Sequence, residues 1–561
     1  MTKLYYNQRT GQIDIKITGS GRFKEDSVSY ESEDYQIATT GYFLNTAECL
    51  QKYHCNDLVE LIITLCKNEI PISKVLYGGY IIVVYMKKTR KIQIFNDLLS
   101  KHSIYYSYEK ESGQLFISDN FFEVVEMLKE KGLPYTIDEL GVKMMLGHQI
   151  FYDDVTYVNE IKFLCPFKYI TIVNNDFIID DIQREEELDI TMDEAAHSLH
   201  CLFKKAVMLQ YEKNENNGYP QVTTVSGGMD SRSTFLYSLQ CGYTSQKCYN
   251  YAETGSADFY IAEELTQKYN CGFYFHSLGK GNFLKDRDKL CVANEGQMSY
   301  AGTTGTMDCL TFFNTKEFAI IHTGLGGGEI MGDVCSSEHP NKREKLVNSL
   351  RYRLGKGKKD FGWSTFLTSL DCTEEECERI RTIQKKYRDF SEFQNLNDMR
   401  RCLNAQKIAF YCGCYYVSPF LYEDFFCYML RIPYKLKRDR QLYLHWQKAY
   451  NPQQFETKST FRLGVTSNNT MIYYAKRFGV YIINKFGGKS HYDMNPIEYW
   501  KKYDPTINSL QEELYSYDMR LIKNNTNEVL YKYINDRWAQ NLTARENILT
   551  ATWALTRLIS D

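Results

Sequence analysis

What the 561-residue sequence lacks sets the first limits. It has no long apolar run: the greasiest stretch, 80–86, falls far short of the roughly 20 residues a membrane-spanning helix needs. Residues 2–10 are polar rather than the apolar core of an export signal, so a soluble, cytoplasmic chain with no membrane partner is expected. Charge of one sign is missing too, since 67 Lys and Arg nearly balance 70 Asp and Glu, leaving a net charge of −3. That balance supplies no surplus for gripping a phosphate backbone, and nucleic acid is not the expected partner. No internal repeat and no low-complexity linker interrupts the chain. Its 17 cysteines are odd in number and accompany no export signal, which suits free thiols in a reducing compartment rather than disulfides. Cys412 and Cys414, with Cys402 nearby, lack the second CxxC or His pair of a tetrahedral metal set, and read as buried small hydrophobes.

What is present is apolar residue enough, 43%, for more than one core, because a single core rarely grows beyond roughly 250 to 300 residues. Two domains are expected, 1–185 and 186–561. The first carries short β-branched or aromatic runs at 13–17, 35–39, 80–86, 91–95, 114–118 and 167–173, with helices only at 57–67 and 121–130, which predicts a strand-rich α+β unit. The acidic stretch 180–189 marks the boundary, and a helical pattern follows at 192–211. From 221 the order becomes strand (222–225), helix (231–239), strand (246–251), helix (257–269), the pattern of a parallel sheet with crossover helices. Beyond 371 the chain reads as helical, best at 399–411, 421–431, 441–449 and 545–559.

The chemistry concentrates where the strand 222–225 meets its helix, in Ser226-Gly227-Gly228-Met229-Asp230-Ser231. Adjacent glycines let backbone N–H groups approach an anion, and the helix N-terminus behind them adds about half a positive charge, so the loop reads as a pyrophosphate cradle. Asp230 offers the hard carboxylate oxygen that Mg²⁺ prefers, and Ser226 and Ser231 add hydroxyls. No Gly-Lys-Ser/Thr ending is present, so this is not the loop of γ-phosphate-transferring enzymes; it suits ATP cleaved between the α and β phosphates. The competing explanation is a helix cap after a turn.

The loop resembles the signature of N-type ATP pyrophosphatases, and its surroundings resemble the asparagine synthetase family. Asp258, opening the helix 257–269, resembles the acidic residue on that family's adenine and ribose side, although capping would also account for it. Gly324-Leu325-Gly326-Gly327-Gly328-Glu329-Ile330-Met331-Gly332, after a strand at 318–322, resembles the family's Gly-Asp-Gly-x-Asp-Glu-Leu-Phe-Gly loop with two aspartates lost, at Leu325 and Gly328. Either Glu329 takes the place of the second as metal ligand beside Asp230, or metal binding is weaker than in that family. Val417-Ser418-Pro419-Phe420-Leu421 resembles a structural segment under the family's substrate pocket, with Val417 and Tyr422 in place of its Arg and Asp. After Ile432-Pro433, Lys435 and Lys437, Lys458 in Lys458-Ser459-Thr460-Phe461 matches the family lysine that neutralises developing charge, a surface lysine being the alternative.

In the first domain Gly41-Tyr42-Phe43-Leu44-Asn45, Gly78-Gly79-Tyr80, Asn96-Asp97 and Phe116-Ile117-Ser118 resemble elements of the family's glutaminase-like domain. Its nucleophilic cysteine is absent: position 2 is Thr2, followed by Lys3 and Leu4. The resemblance implies an Ntn-hydrolase-like α+β sandwich joined to an α/β parallel-sheet ATP-pyrophosphatase domain, similar to adenine nucleotide alpha hydrolases, with a helical C-terminal part. It also implies an AMP-forming amide ligase using ATP and Mg²⁺, with Lys458 and Glu329 catalytic. Ser226, Gly227, Gly228, Asp230, Ser231, Asp258, Gly324 and Gly326 would bind the nucleotide. Its partners would be a small-molecule or peptide carboxylate and an amine or ammonia, as in β-lactam synthetases and lasso peptide cyclases; a homodimer is left open. The rival readings are a tRNA-modifying ATP pyrophosphatase and a non-catalytic homologue.

Overall fold

The computed structural model describes residues 2–19, 21–174, 176–303, 305–332, 370–460, 463, 470–486, 488–540 and 545–560. The chain divides into two compact units, one of residues up to Gly141 with Phe151–Glu186, the other of Val142–Ile150 with the residues from Glu187 onward.

The first unit holds two antiparallel sheets. One orders β2 (Gln12–Ile17), β1 (Thr2–Asn7), β8 (Gln114–Ser118), β7 (Tyr105–Glu109) and β9 (Lys162–Phe163). The other orders β11 (Asp176–Asp181), β10 (Lys168–Val173), β6 (Lys91–Asn96), β5 (Gly78–Met86), β4 (Tyr35–Phe43) and β3 (Ser29–Glu31). Successive side chains of a strand point to opposite faces, and β5 is buried on both. Ile81 and Val83 join Leu4, Ile94, Leu115 and Ile117 between the sheets, while Tyr80, Ile82 and Val84 pack on Leu61 and Leu65 of the helix Leu58–Lys67. That double burial is why 80–86 reads as one continuous apolar run.

Three expectations change here. The polar run 2–10 contains β1, whose Thr2, Leu4 and Tyr6 alternate inward between β2 and β8. The helix Thr46–Tyr53 joins the two expected ones, and a further helix, Glu139–His148, most of which belongs to the second unit, carries Gly141 and Gly147, which weaken a helical signal. The start of the acidic stretch lies in β11. Glycine is required where β4 meets β5: a Cβ on Gly41, at φ +111°, would stand 2.1 Å from the Gly79 carbonyl oxygen. Asn45 fixes the turn beyond, accepting from Tyr77 N at 2.8 Å and donating to the Val75 carbonyl at 2.9 Å. Thr2 is fully buried, and its amide donates to Asp119 Oδ2 at 2.9 Å.

The second unit is built on a five-stranded parallel sheet ordered β14 (Gly272–Ser277), β13 (Lys247–Ala252), β12 (Val222–Thr224), β15 (Ile320–His322) and β16 (Tyr415–Val417). From β12 the chain moves outward through β13 and β14, then returns to the other side of β12 for β15 and β16. The order therefore reverses between β12 and β15, and in open parallel sheets such a switch point, at the carboxyl ends of the strands, is where ligands bind. The helix Met192–Asn216 enters this unit through a capping box formed by Thr191 and Glu194. Long helices follow β15, including Phe390–Tyr411, Gln441–Tyr450, Pro505–Asn525 and Arg545–Ile559. Among the described residues no helix is long and apolar enough to cross a membrane. The described cysteines are free thiols; Cys402 and Cys414 are buried and Cys412 partly so.

Candidate functional site at the switch point

β12 ends at Thr224, and Ser226-Gly227-Gly228 turns directly into the helix Met229–Gln240. The two serines close the loop on itself. Their hydroxyls lie 2.6 Å apart, Ser226 N donates to Ser231 Oγ at 3.1 Å, and Gly228 N donates to Ser226 Oγ at 3.2 Å. Gly228 occupies the N-cap and has no side chain to satisfy the first-turn N–H groups, in contrast to Ser256, which caps the helix Ala257–Lys268. An uncapped helix start behind a glycine pair is where an anionic ligand is accommodated.

Asp258 holds the loop from behind. Its Oδ1 accepts from Gly227 N at 2.8 Å and its Oδ2 from Asn250 Nδ2 at 2.9 Å. Burial raises its pKa, against the lowering influence of those two bonds and of Arg232. Both carboxylate oxygens are engaged with protein, so this residue shapes the loop.

The second glycine-rich stretch follows β15 and lies against the first. A Cβ on Gly324 would stand 2.2 Å from Ser231 N, and one on Gly327 would stand 2.6 Å from the Asp230 carboxyl carbon. Gly326, at φ +83°, caps the short helix Gly327–Ile330, and Leu421 lies beneath it. Ser418 Oγ donates to the Leu325 carbonyl at 2.6 Å, so the 417–421 segment supports this loop.

Asp230 and Glu329 thus come from two adjoining loops, near enough for the Asp230 charge to raise the Glu329 pKa. The Tyr443 hydroxyl, itself 3.1 Å from Ser233 Oγ, donates to Asp230 Oδ1 at 2.9 Å. Glu329 has its pKa raised, first by burial and then by Asp230 and Asp398, with Arg401 opposing. Among the described residues no group of three His, Cys, Asp or Glu side chains is arranged to hold a metal. A pair of carboxylates fits Mg²⁺ nonetheless, because that ion takes one or two carboxylates when phosphates and waters complete its shell. The Asp230 carboxyl packs directly on Gly327, in the place a side chain there would need.

Burial of the Glu329 carboxyl, with the Asp230 charge adding to it, has a measurable consequence. A carboxyl whose folded pKa lies above its ordinary 4.5 favours the fold at low pH, and that advantage is lost as pH rises from there through the raised value. Glu329→Gln is therefore expected to be more stable than the parent at pH 8 without divalent cations, with the gain shrinking toward pH 5. Urea unfolding midpoints at the two pH values check this; an equal gain at both would exclude the charge as its cause.

The segment that carries Lys458 touches the glycine loop through the two residues after it. Thr460 N donates to the Gly227 carbonyl at 2.8 Å, and Ser459 Oγ donates to the same oxygen at 3.1 Å. The Lys458 side chain is exposed, and Phe461 lies outside the described residues. Elsewhere in the chain Glu295 pairs with Lys407 at 2.6 Å. Sequence reasoning passed over Arg232, Tyr443 and Asp398. Arg232 had a local signal, a charge inside a crossover helix directly after the motif; Tyr443 and Asp398 arrive from helices distant in sequence and carried none.

No family model matches this chain, and no curated protein matches it. Among solved structures it is similar to the glutamine phosphoribosylpyrophosphate amidotransferase from B. subtilis complexed with ADP and GMP. That similarity covers 44% of this chain and 47% of that one at 10% identity, with a TM-score of 0.19. A structure of the allosteric regulatory enzyme of purine biosynthesis is similar over 46% of this chain and 64% of that one, at 9% identity and a TM-score of 0.20. The chain thus spans between about half and two thirds of the length of these structures. Likeness of that degree defines neither the fold nor the chemistry of this chain.

Proposed function

We propose that the chain is an ATP-dependent, AMP- and pyrophosphate-forming amide ligase of the asparagine synthetase kind. One observation carries this reading: two glycine-rich loops meet at the switch point of a parallel sheet, beside an uncapped helix start, and bring Asp230 and Glu329 within electrostatic reach of each other. In this reading residues 186–561 form an ATP-pyrophosphatase-like synthetase, and residues 1–185 form a glutaminase-like sandwich without its nucleophile. The nitrogen donor is then an amine or ammonia rather than glutamine.

The substrate carboxylate attacks the α-phosphorus of ATP and pyrophosphate leaves; the amine then attacks the acyl carbon and AMP leaves. The N–H groups opening the helix Met229–Gln240 hold the pyrophosphate portion. Holding acid and nucleotide together removes much of the entropic barrier, and the Lys458 ammonium offsets charge as it develops. Asp230 and Glu329 would hold magnesium, which would supply screening of the phosphate charge.

ATP–pyrophosphate exchange measured over a panel of carboxylic acids and peptide acids tests the reading. Exchange that depends on one class of acid is expected. Lys458→Ala is expected to lower its turnover by about tenfold or more while leaving the KM for ATP little changed. Exchange with no acid in the panel, or ATP hydrolysis indifferent to the acid, would overturn it.

A further inference from the structure

One turn into the helix behind the glycine loop stands a buried guanidinium with no part in the reaction just described. Arg232 is 1% exposed, and burial pulls its pKa down to about 10, against the raising influence of Tyr443, Asp258 and Asp230. A buried cation is costly unless its donors are satisfied, and here they bridge two parts of the chain. Nε donates to the Gly228 carbonyl at 2.9 Å, inside the loop. Nη1 donates to the Thr457 hydroxyl at 3.0 Å and to the Lys458 carbonyl at 2.8 Å, 225 and 226 residues away in sequence.

The segment that receives these bonds has no ladder of its own. Residues 457–460 are neither helix nor strand, yet they lie directly on the loop: a Cβ at Gly227 would stand 2.6 Å from Thr460 Cγ2. Among the bonds that fix them are the Thr460 amide bond to Gly227, the Ser459 hydroxyl bond to the same carbonyl, and those from Arg232. A planar guanidinium suits this place because its fork serves acceptors on both sides, which a lysine ammonium does not.

We propose that Arg232 is a positioning residue that latches the segment 457–460 onto the glycine loop and so sets where the Lys458 ammonium stands. The consequence for Lys458 rests on the ligase reading; the latch itself does not. Two variants of the full chain separate the two. Arg232→Lys keeps the charge and loses the fork. Thr457→Val leaves the guanidinium in place, removes one acceptor, and decides the matter if Arg232→Lys does not fold.

Hydrogen exchange followed by mass spectrometry is expected to show the Thr460 amide exchanging about tenfold faster in Arg232→Lys. A smaller change of the same sign is expected in Thr457→Val, with the last turns of Met229–Gln240 unaltered in both. In ATP–pyrophosphate exchange, Arg232→Lys is expected to lower kcat and leave the KM for ATP close to the parent's. Adding Lys458→Ala to it should then cost far less than the same change costs the parent. Unchanged exchange at Thr460 in the folded variants would overturn the latch. Faster exchange there with a full Lys458→Ala penalty retained would overturn its control of Lys458. A parent protein inactive with every acid would overturn the ligase reading, and the hydrogen-exchange arm would still decide the latch.

Discussion

Asp230→Asn is expected to lower ATP–pyrophosphate exchange by about 100- to 1000-fold, the scale set by removing one preorganised electrostatic group from a phosphoryl or acyl transfer site. The substitution is selective. Asparagine keeps an oxygen to accept from the Tyr443 hydroxyl, which now meets Asp230 Oδ1 at 2.9 Å, so the first turn of the helix and the melting temperature should be little altered. What disappears is the negative charge that packs on Gly327 and acts on Glu329. Tyr443→Phe makes the complementary change, leaving the charge and freeing its orientation, and is expected to cost only about tenfold. If Asp230→Asn retained exchange within twofold of the parent for an active acid, its carboxylate would have no part in binding metal or phosphate.

The difference between these two residues also shows what the sequence could reveal. Asp230 sits in a run of six residues whose signals are all local: a strand, a glycine pair without a capping side chain, and a helix. Each can be read without knowing the rest of the fold. Tyr443 belongs to a helix 213 residues downstream, and nothing in its own neighbourhood announces that its hydroxyl will meet Asp230.

The helix Phe390–Tyr411 fails to announce itself for a different reason. Its apolar pattern is legible only from 399, yet the helix starts at Phe390 with the Asp389 side chain capping Glu392 N. The intervening turns bury Glu392, Gln394, Asn395, Asn397 and Asp398, so no polar face is left to alternate with an apolar one. Asp398, one of the charges that raises the Glu329 pKa, lies in that unreadable stretch. The parallel sheet was accessible because its strands and crossover helices alternate in sequence, whereas the reversal between β12 and β15 depends on a pairing 98 residues apart, between Thr224 Oγ1 and the His322 carbonyl among other bonds.

Gly324→Ala is expected to be among the most destabilising single changes in the second unit, at about 3 kcal/mol. The new methyl would lie 2.2 Å from Ser231 N, 2.4 Å from the Asp230 carbonyl carbon and 2.7 Å from Ser231 Cα. All three are backbone atoms of a helix's first turn, so no side chain can swing aside, and relief requires the two loops to part. Gly228→Ala is the control. Its Cβ would meet only Ser226 Oγ at 3.3 Å, and its φ of −71° is open to any residue, so a loss within about 1 kcal/mol is expected. Urea unfolding of the two variants measures the contrast. Separation of the loops would also carry Glu329 away from Asp230, so the fraction of Gly324→Ala that folds should bind ATP more weakly than Gly228→Ala does. Equal stability of the two variants would mean that the loops after β12 and β15 do not touch, and their carboxylates would not lie within reach of each other.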